Sequence, residues 1–322
     1  MSAFREGGHF PDGTTLGVGA ALVALPFLLP SVTLASELVV FAVATLSCTF
    51  LLGLVGLLSF GQGLFFGLGA YVSGVLLREH GLGTLPAVAA AAGFSFLAAG
   101  LLAFLAVRRQ GVYFVMLTLA FAQMGYFAML ALKDVTGGEN GLTGVPRPPL
   151  LAGAGTLSGP EAVYAFLAGL AFAAYLLVQR IGCSPFGSVL RAIRQNEARA
   201  EALGYDTRRF KIAAFALAGL LAGLAGAMHT VFLGFVPPNA IELEMSERLI
   251  IMAIIGGAGA PAGAFVGAGF YVLMADWLST LWPRWLMLIG VLLIAIVLFL
   301  REGVWGGAML LLARLRRARR RG

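Results

Sequence analysis

Apolar stretches about as long as a bilayer is thick recur along almost the whole chain, and no other feature restricts its possible folds so strongly. A helix needs about 20 apolar residues to cross roughly 30 Å of hydrocarbon. Runs of this kind are read near residues 14–32, 36–57, 59–77, 84–107, 112–132, 160–180, 209–235, 262–281 and 284–301, with a shorter one at 247–258. Backbone groups in lipid must be satisfied internally, which leaves a helix bundle or a closed barrel. A barrel would alternate in segments of about ten residues, whereas these runs are long and rich in Leu, Ala and Gly. Composition agrees, with 60% hydrophobic and 11% charged residues, against roughly half and a quarter in a soluble domain. The predicted fold is all-α: a polytopic membrane helix bundle of about ten membrane segments, forming a single transmembrane domain over residues 1–322.

Two places depart from simple spans. The run at 247–258 is too short to cross as a regular helix, and Leu58-Ser59-Phe60-Gly61 leaves almost nothing between two long runs. Both predict broken or re-entrant helices, which persist only where protein or a watery path covers the backbone. The first run, Leu16 to Pro30 after Arg5, resembles the apolar part of a leader. An uncleaved first span fits the topology better.

Positive charge orients a bundle. Arg180, Arg191, Arg194, Arg199, Arg208, Arg209 and Lys211 crowd one loop, Arg108 and Arg109 another, and Arg301 with Arg314 to Arg321 the tail at 302–322. Ten crossings place all three groups, and both termini, on the cytoplasmic side of the membrane. Glu79, Asp134, Glu139, Glu161, Glu242, Glu244 and Glu247 fall on the other side. The formal net charge of +7 sits mostly in the 180–211 loop and the tail. Orientation and anionic lipid account for it, at about 1 kcal/mol per basic residue near the surface, and nucleic-acid binding is not expected.

The chain lacks the means to power itself. Neither lysine, Lys133 or Lys211, stands in a phosphate-binding loop. No metal or nucleophile motif occurs, and the two cysteines give no disulfide framework. Ion-coupled carriers usually carry ionisable residues inside the membrane. Here only Glu37, Asp276 and His229 come close, so an outside source of energy is expected if the protein pumps.

The most informative segment is 184–204. Ser184 can cap a helix, Pro185 suits its first position, and Gly204 fits just past its end. Phe186, Leu190, Ile193 and Leu203 fall near one face, and Arg191, Arg194, Gln195 and Arg199 on another. The pattern predicts an amphipathic helix pair on the cytoplasmic surface, and composition alone permits either lipid contact or docking of a soluble motor. Gly63-x-x-x-Gly67, Gly219-x-x-x-Gly223 and Gly263-x-x-x-Gly267 predict close helix approach. Gly256-Gly257-Ala258-Gly259-Ala260-Pro261 predicts a helix break.

Four segments in order resemble one family, the permease subunits of branched-chain amino acid ABC importers of the LivM-like branch. They are Gly56-Leu57-Leu58-Ser59-Phe60-Gly61-Gln62 running on to Gly69-Ala70-Tyr71; Gly111-Val112-Tyr113-Phe114 to Thr118-Leu119-Ala120-Phe121; Val135-Thr136-Gly137-Gly138 to Gly141-Leu142-Thr143-Gly144; and 184–204 with Ala222 to Ala227 and Ile255-Gly256-Gly257 behind it. The resemblance covers roughly residues 36 to 301. It implies a permease paired with a homologous permease subunit as a heterodimer, with two cytoplasmic ATPase subunits and with a periplasmic or extracellular solute-binding protein. It also implies that ATP is hydrolysed by partner subunits and that this chain binds no cofactor. Residues 184–207 become the ATPase-coupling segment. Leu190, Arg191, Ile193, Arg194, Asn196, Glu197 and Gly204 are its expected working residues, with Leu190 and Ile193 filling an ATPase groove and Arg191 and Glu197 at its rim. Ser59, Gln62, Tyr113, Thr118 and Gln123 are the polar residues expected along the translocation path. Related permeases carry branched-chain amino acids, urea, short amides or other small solutes.

Overall fold

The computed structural model describes residues 13–109, 111–146, 159–281, 284–299, 303–307 and 309. The basic tail and the first dozen residues lie almost wholly outside this set. Helices α1 (Gly13–Leu28), α2 (Val32–Phe50), α3 (Gln62–Glu79), α4 (Thr84–Ala106) and α5 (Val112–Ala131) come first. A single turn, α6 (Lys133–Thr136), is next, then α7 (Pro160–Cys183), the surface pair α8 (Pro185–Gln195) and α9 (Glu197–Ala202), and α10 (Thr207–Leu233). The chain closes with α11 (Leu243–Gly256), α12 (Pro261–Leu281) and α13 (Trp285–Phe299).

Among the described residues, six helices are long and apolar enough to cross a membrane: α2 with its extension to Val55, α4, α5, α7, α10 and α12. Helices α1, α3, α11 and α13, shorter or less apolar, occupy the remaining expected segments. The second helix is the axis of the bundle, with 94% of its most apolar window buried by the rest of the chain, whereas the fifth has 17% buried and runs along the outside. Around this axis pack α3, α7, α10, α11 and α12.

Small residues bring the helices together. A Cβ on Gly69 would lie 2.1 Å from the carbonyl oxygen of Gly223, and one on Gly226 would lie 1.8 Å from that of Phe66, so α3 and α10 touch backbone to backbone. The Gly219–Gly223 pair presses α10 against Ala99 and Ser95 of α4, and Gly263 and Gly267 seat α12 on α11 at Gly256. At such distances any side chain forces the helices apart, as the spacing of these glycines predicts.

The ends of the bundle are distinct. At one end Arg108 and Arg208 both stand over the Phe104 ring, at 5.2 and 4.7 Å, so two of the basic groups share a surface with α8 and α9. At the other end Leu142 and Val236 exchange two backbone hydrogen bonds of 3.0 and 2.9 Å, tying the acidic loop after α5 to the end of α10. Two of the three basic groups seen in the sequence thus share one end of the molecule, and the third, the tail, lies outside the described residues.

Candidate functional site

Helix α2 does not end cleanly. It runs into a π-helical turn, Leu51–Val55, closed at Gly56 with φ +79°. Residues 57–60 then lie outside any helix before α3 starts at Gln62. Side chains from two helices, and one of its own, satisfy this stretch. The Phe60 N–H donates to Thr118 Oγ1 of α5 at 3.2 Å, and Ser246 Oγ of α11 donates to the Phe60 carbonyl at 2.6 Å. The Gly63 N–H donates to Ser246 Oγ at 2.9 Å, and the Gly61 N–H to Ser59 Oγ at 3.1 Å. Irregular backbone is tolerated in a membrane bundle under this condition, when neighbours supply the missing partners.

Gln62 is the exception. It is wholly buried, and neither its amide nitrogen nor its amide oxygen has a hydrogen-bond partner. It lines a cavity with Ser59, Cys48 and Leu51 of the α2 end and Ile250 and Ala253 of α11, with room for about one water molecule. An unpaired buried amide group costs about 1–3 kcal/mol. The break therefore brings Ser59, Gln62 and Thr118 together. It does not include Tyr113, which is 75% exposed on the outer side of α5, nor Gln123, half-buried a turn and a half beyond Thr118. Thr118 itself is a brace, since its hydroxyl donates to the Val115 carbonyl at 2.8 Å while accepting from Phe60.

The surface pair is built as its sequence suggests. Ser184 Oγ accepts the Gly187 N–H at 3.2 Å and Pro185 opens α8. Asn196, with extended backbone, ends α8 and caps α9 by accepting the Arg199 N–H at 3.0 Å. Gly204, at φ +89°, turns the chain towards α10, and Asp206 caps that helix through the Arg209 N–H at 3.2 Å.

The side chains, however, face differently from the expectation. Leu190 and Ile193 are 0% and 4% exposed and belong to the chain's own core, where α8 packs on α7, α10 and the π turn. They cannot also fill an ATPase groove. Arg191 donates to the Gly182 carbonyl at 2.6 Å and to Ser188 Oγ at 3.0 Å. Glu197 pairs with the buried Lys211 and accepts from Thr207 Oγ1 at 3.1 Å. These two residues fasten the pair to its own body instead of standing at a rim. Leu203, grouped with the inward residues by helical phase, is 72% exposed, because the break at Asn196 resets that phase. The outward surface includes Ala192, Arg194, Gln195, Asn196, Ala198, Arg199, Leu203 and Tyr205.

Arg194 joins the two regions. Its guanidinium donates to the carbonyl of Gly53, in the middle of the π turn, and its aliphatic stem crosses Gly56, where an added Cβ would lie 2.9 Å from Cγ. Gly53 in turn abuts the Ala258 carbonyl of the glycine-rich break between α11 and α12. The surface helix, the π turn and both breaks are thus contiguous. The signal for this contact was present in the sequence only as an arginine and a glycine 141 positions apart.

Known proteins with similar sequences point to one family. The family model described as branched-chain amino acid transport system / permease component matches residues 31–297. The high-affinity branched-chain amino acid transport system permease protein LivM of Escherichia coli (strain K12) is 27% identical over 329 aligned positions, covering 91% of this chain and 76% of that protein. LivM of Salmonella typhimurium gives the same identity and coverage. The autoinducer 2 import system permease protein LsrC of Klebsiella pneumoniae is 32% identical, but over only 34% of this chain. No solved structure matches. With the family matched from α2 to α13 on a bundle of membrane-crossing helices, this chain belongs to the permease component family of branched-chain amino acid transport systems.

Proposed function

We propose that the chain is the membrane-spanning permease subunit of an ATP-driven ABC importer, forming the path for branched-chain or similar amino acids. The family, and the names of the two LivM relatives, support the cargo class. In this reading a homologous second permease completes the path, two cytoplasmic ATPases hydrolyse the ATP, and a solute-binding protein delivers cargo from the far side. The chain has no ATPase site of its own and holds no cofactor. Both termini and α8–α9 face the cytoplasm of the inner membrane.

The observation that carries this reading is the Arg194 contact with the π turn. A displacement of α8–α9 by an ATPase is passed through Arg194 and the buried Leu190 and Ile193 to the residues that wall the Gln62 cavity. A capped, internally fastened helix pair transmits such a push, whereas a loose loop would absorb it. Docking falls to the outward surface around Gln195, Arg199 and Leu203. The break beside Ser59 and Gln62 is the part of the path nearest that surface.

The test is reconstitution. The complete importer, assembled with the co-encoded partners in proteoliposomes, should take up labelled leucine, isoleucine or valine when supplied with ATP and the binding protein. The lone chain should take up nothing under ATP, proton or sodium gradients. Uptake of urea or a short amide in place of amino acids would change the cargo and keep the machine. Gradient-driven uptake by the lone chain would overturn the importer reading.

A further inference from the structure

Several basic side chains at the α8–α9 end of the bundle already have acceptors in the protein. Arg191 donates to the Gly182 carbonyl and Arg194 to that of Gly53, Lys211 pairs with Glu197, and Arg209 pairs with Asp206 at 2.8 Å. Arg108 and Arg208 are placed otherwise. Neither forms an ion pair with a carboxylate among the described residues. Both stand over the ring of Phe104, 5.2 and 4.7 Å from its centroid, so their guanidinium carbons are at most about 10 Å apart.

Two cations gathered on one ring repel each other, and the attraction of the ring face offsets that only in part. The pair is nevertheless held. Arg208 Nη2 donates to the Phe104 carbonyl at 3.3 Å, and its Nε is buried. Asp206, two residues earlier, is engaged by the guanidinium and the N–H of Arg209. Arg108 is exposed just past the end of α4. The site is therefore rich in positive charge and open to an anion from outside.

The surface beside the pair is apolar. Phe94, Leu97, Leu101 and Leu105 follow one another along the outer face of α4 at helical spacing, and all four are exposed, Leu97 and Leu101 by 69%. At 1.5 Å per residue this lane is about 16 Å long. That is close to one leaflet of a hydrocarbon core about 30 Å thick. The arginines stand at its polar end, since Phe104 lies in the last turn of α4 and Arg208 in the first turn of α10. An anionic head with a hydrocarbon tail matches this surface in charge and in length.

We propose that this is a binding site for an anionic phospholipid in the leaflet on the α8–α9 side. Arg108 and Arg208 take the lipid phosphate through charge-assisted hydrogen bonds, which the guanidinium fork is shaped to make. One acyl chain lies along Leu101 and Leu97. Basic pockets between membrane helices accept such head groups. The bound lipid joins the end of α4 to the start of α10, the helix into which α9 leads, and so braces the base of the surface pair. The site stands whatever solute the protein carries.

Native mass spectrometry of the detergent-solubilised full chain tests it, in titrations with phosphatidylglycerol and with phosphatidylcholine of the same acyl chains. The first phosphatidylglycerol should bind at least about fivefold more tightly than the first phosphatidylcholine. Arg108→Gln should weaken phosphatidylglycerol binding about fivefold, and Arg108→Gln combined with Arg208→Gln about twentyfold or more. Arg78→Gln, the same loss of charge at the far end of α3, should leave that binding within about twofold of wild type. Inorganic phosphate at millimolar concentration should not displace the lipid. Displacement would assign the arginines to free phosphate and overturn the lipid site. No head-group preference in the wild type, or equal effects of Arg108→Gln and Arg78→Gln, would also overturn it. The head-group comparison uses the wild type, and Arg108 is exposed, so both arms survive any failure of the Arg208 variant to fold.

Discussion

Truncating Ile193 and Leu203 in turn should separate what α8–α9 does for the fold from what it does for a partner. Ile193 is 4% exposed and sits in the core formed where α8 meets α7, α10 and the π turn. Ile193→Ala removes buried carbon and leaves a gap, at a cost of about 2–5 kcal/mol. Leu203 is 72% exposed, so Leu203→Asp should change stability by no more than about 0.5 kcal/mol. At an interface, loss of an apolar contact exceeding about 1 kcal/mol weakens binding roughly fivefold. Thermal unfolding of the detergent-solubilised chain, followed by tryptophan fluorescence, reads the first effect. Titration of the immobilised chain with purified ATPase reads the second. Ile193→Ala should lower the unfolding temperature, and Leu203→Asp should lower ATPase affinity at an unchanged unfolding temperature. The reverse pattern, with Ile193→Ala losing the ATPase but not stability, would refute the inward assignment of Ile193 and restore an exposed anchor there.

Arg194→Ala should leave ATPase binding within about twofold of wild type but lower transport per ATP hydrolysed, measured as the ratio of uptake to phosphate release; an unchanged ratio would remove Arg194 from the coupling route. Glu197→Gln strands the ammonium of Lys211, whose side chain is 5% exposed, and should cost about 1–3 kcal/mol in unfolding measurements, tempered by the 25% exposure of Glu197. Gly226→Val should prevent close packing of α3 on α10, because even a Cβ there would lie 1.8 Å from the Phe66 carbonyl oxygen, and the variant should run as aggregate on size exclusion. An impermeant thiol reagent on intact cells, in a background without Cys48 and Cys183, should label Glu139→Cys and spare Gln195→Cys; the opposite result would invert the bundle.

Much of the architecture was legible because membrane helices announce themselves by length and apolarity, and because glycines that touch backbone recur at helical spacing. The cap at Ser184 was legible for a similar reason, since it acts on a residue three positions away. Facing was less so. Helical phase grouped Leu203 with Leu190 and Ile193, but the extended backbone of Asn196 interrupts that phase, and nothing local distinguishes a capping Asn from an exposed one inside a helix. The roles of Arg194, Glu197 and Thr118 depend on carbonyls, a lysine and a backbone N–H from distant segments. A polar residue on an amphipathic helix reads as a solvent contact until the fold supplies its partner.

The π turn at the end of α2 has a geometric consequence for the inner cavity. Its closing bond runs from the Gly56 N–H to the Leu51 carbonyl, five residues back, so this stretch of helix holds one residue more than an α-helical turn would. Tightening it to α-helical spacing would feed that surplus residue into the chain beyond it, advancing the path by about 1.5 Å and rotating the next segment by roughly a quarter of a turn. Ser59 and Gln62 stand immediately downstream, so such a shift would reach them first, and the bond from Arg194 to Gly53 ties that turn to α8.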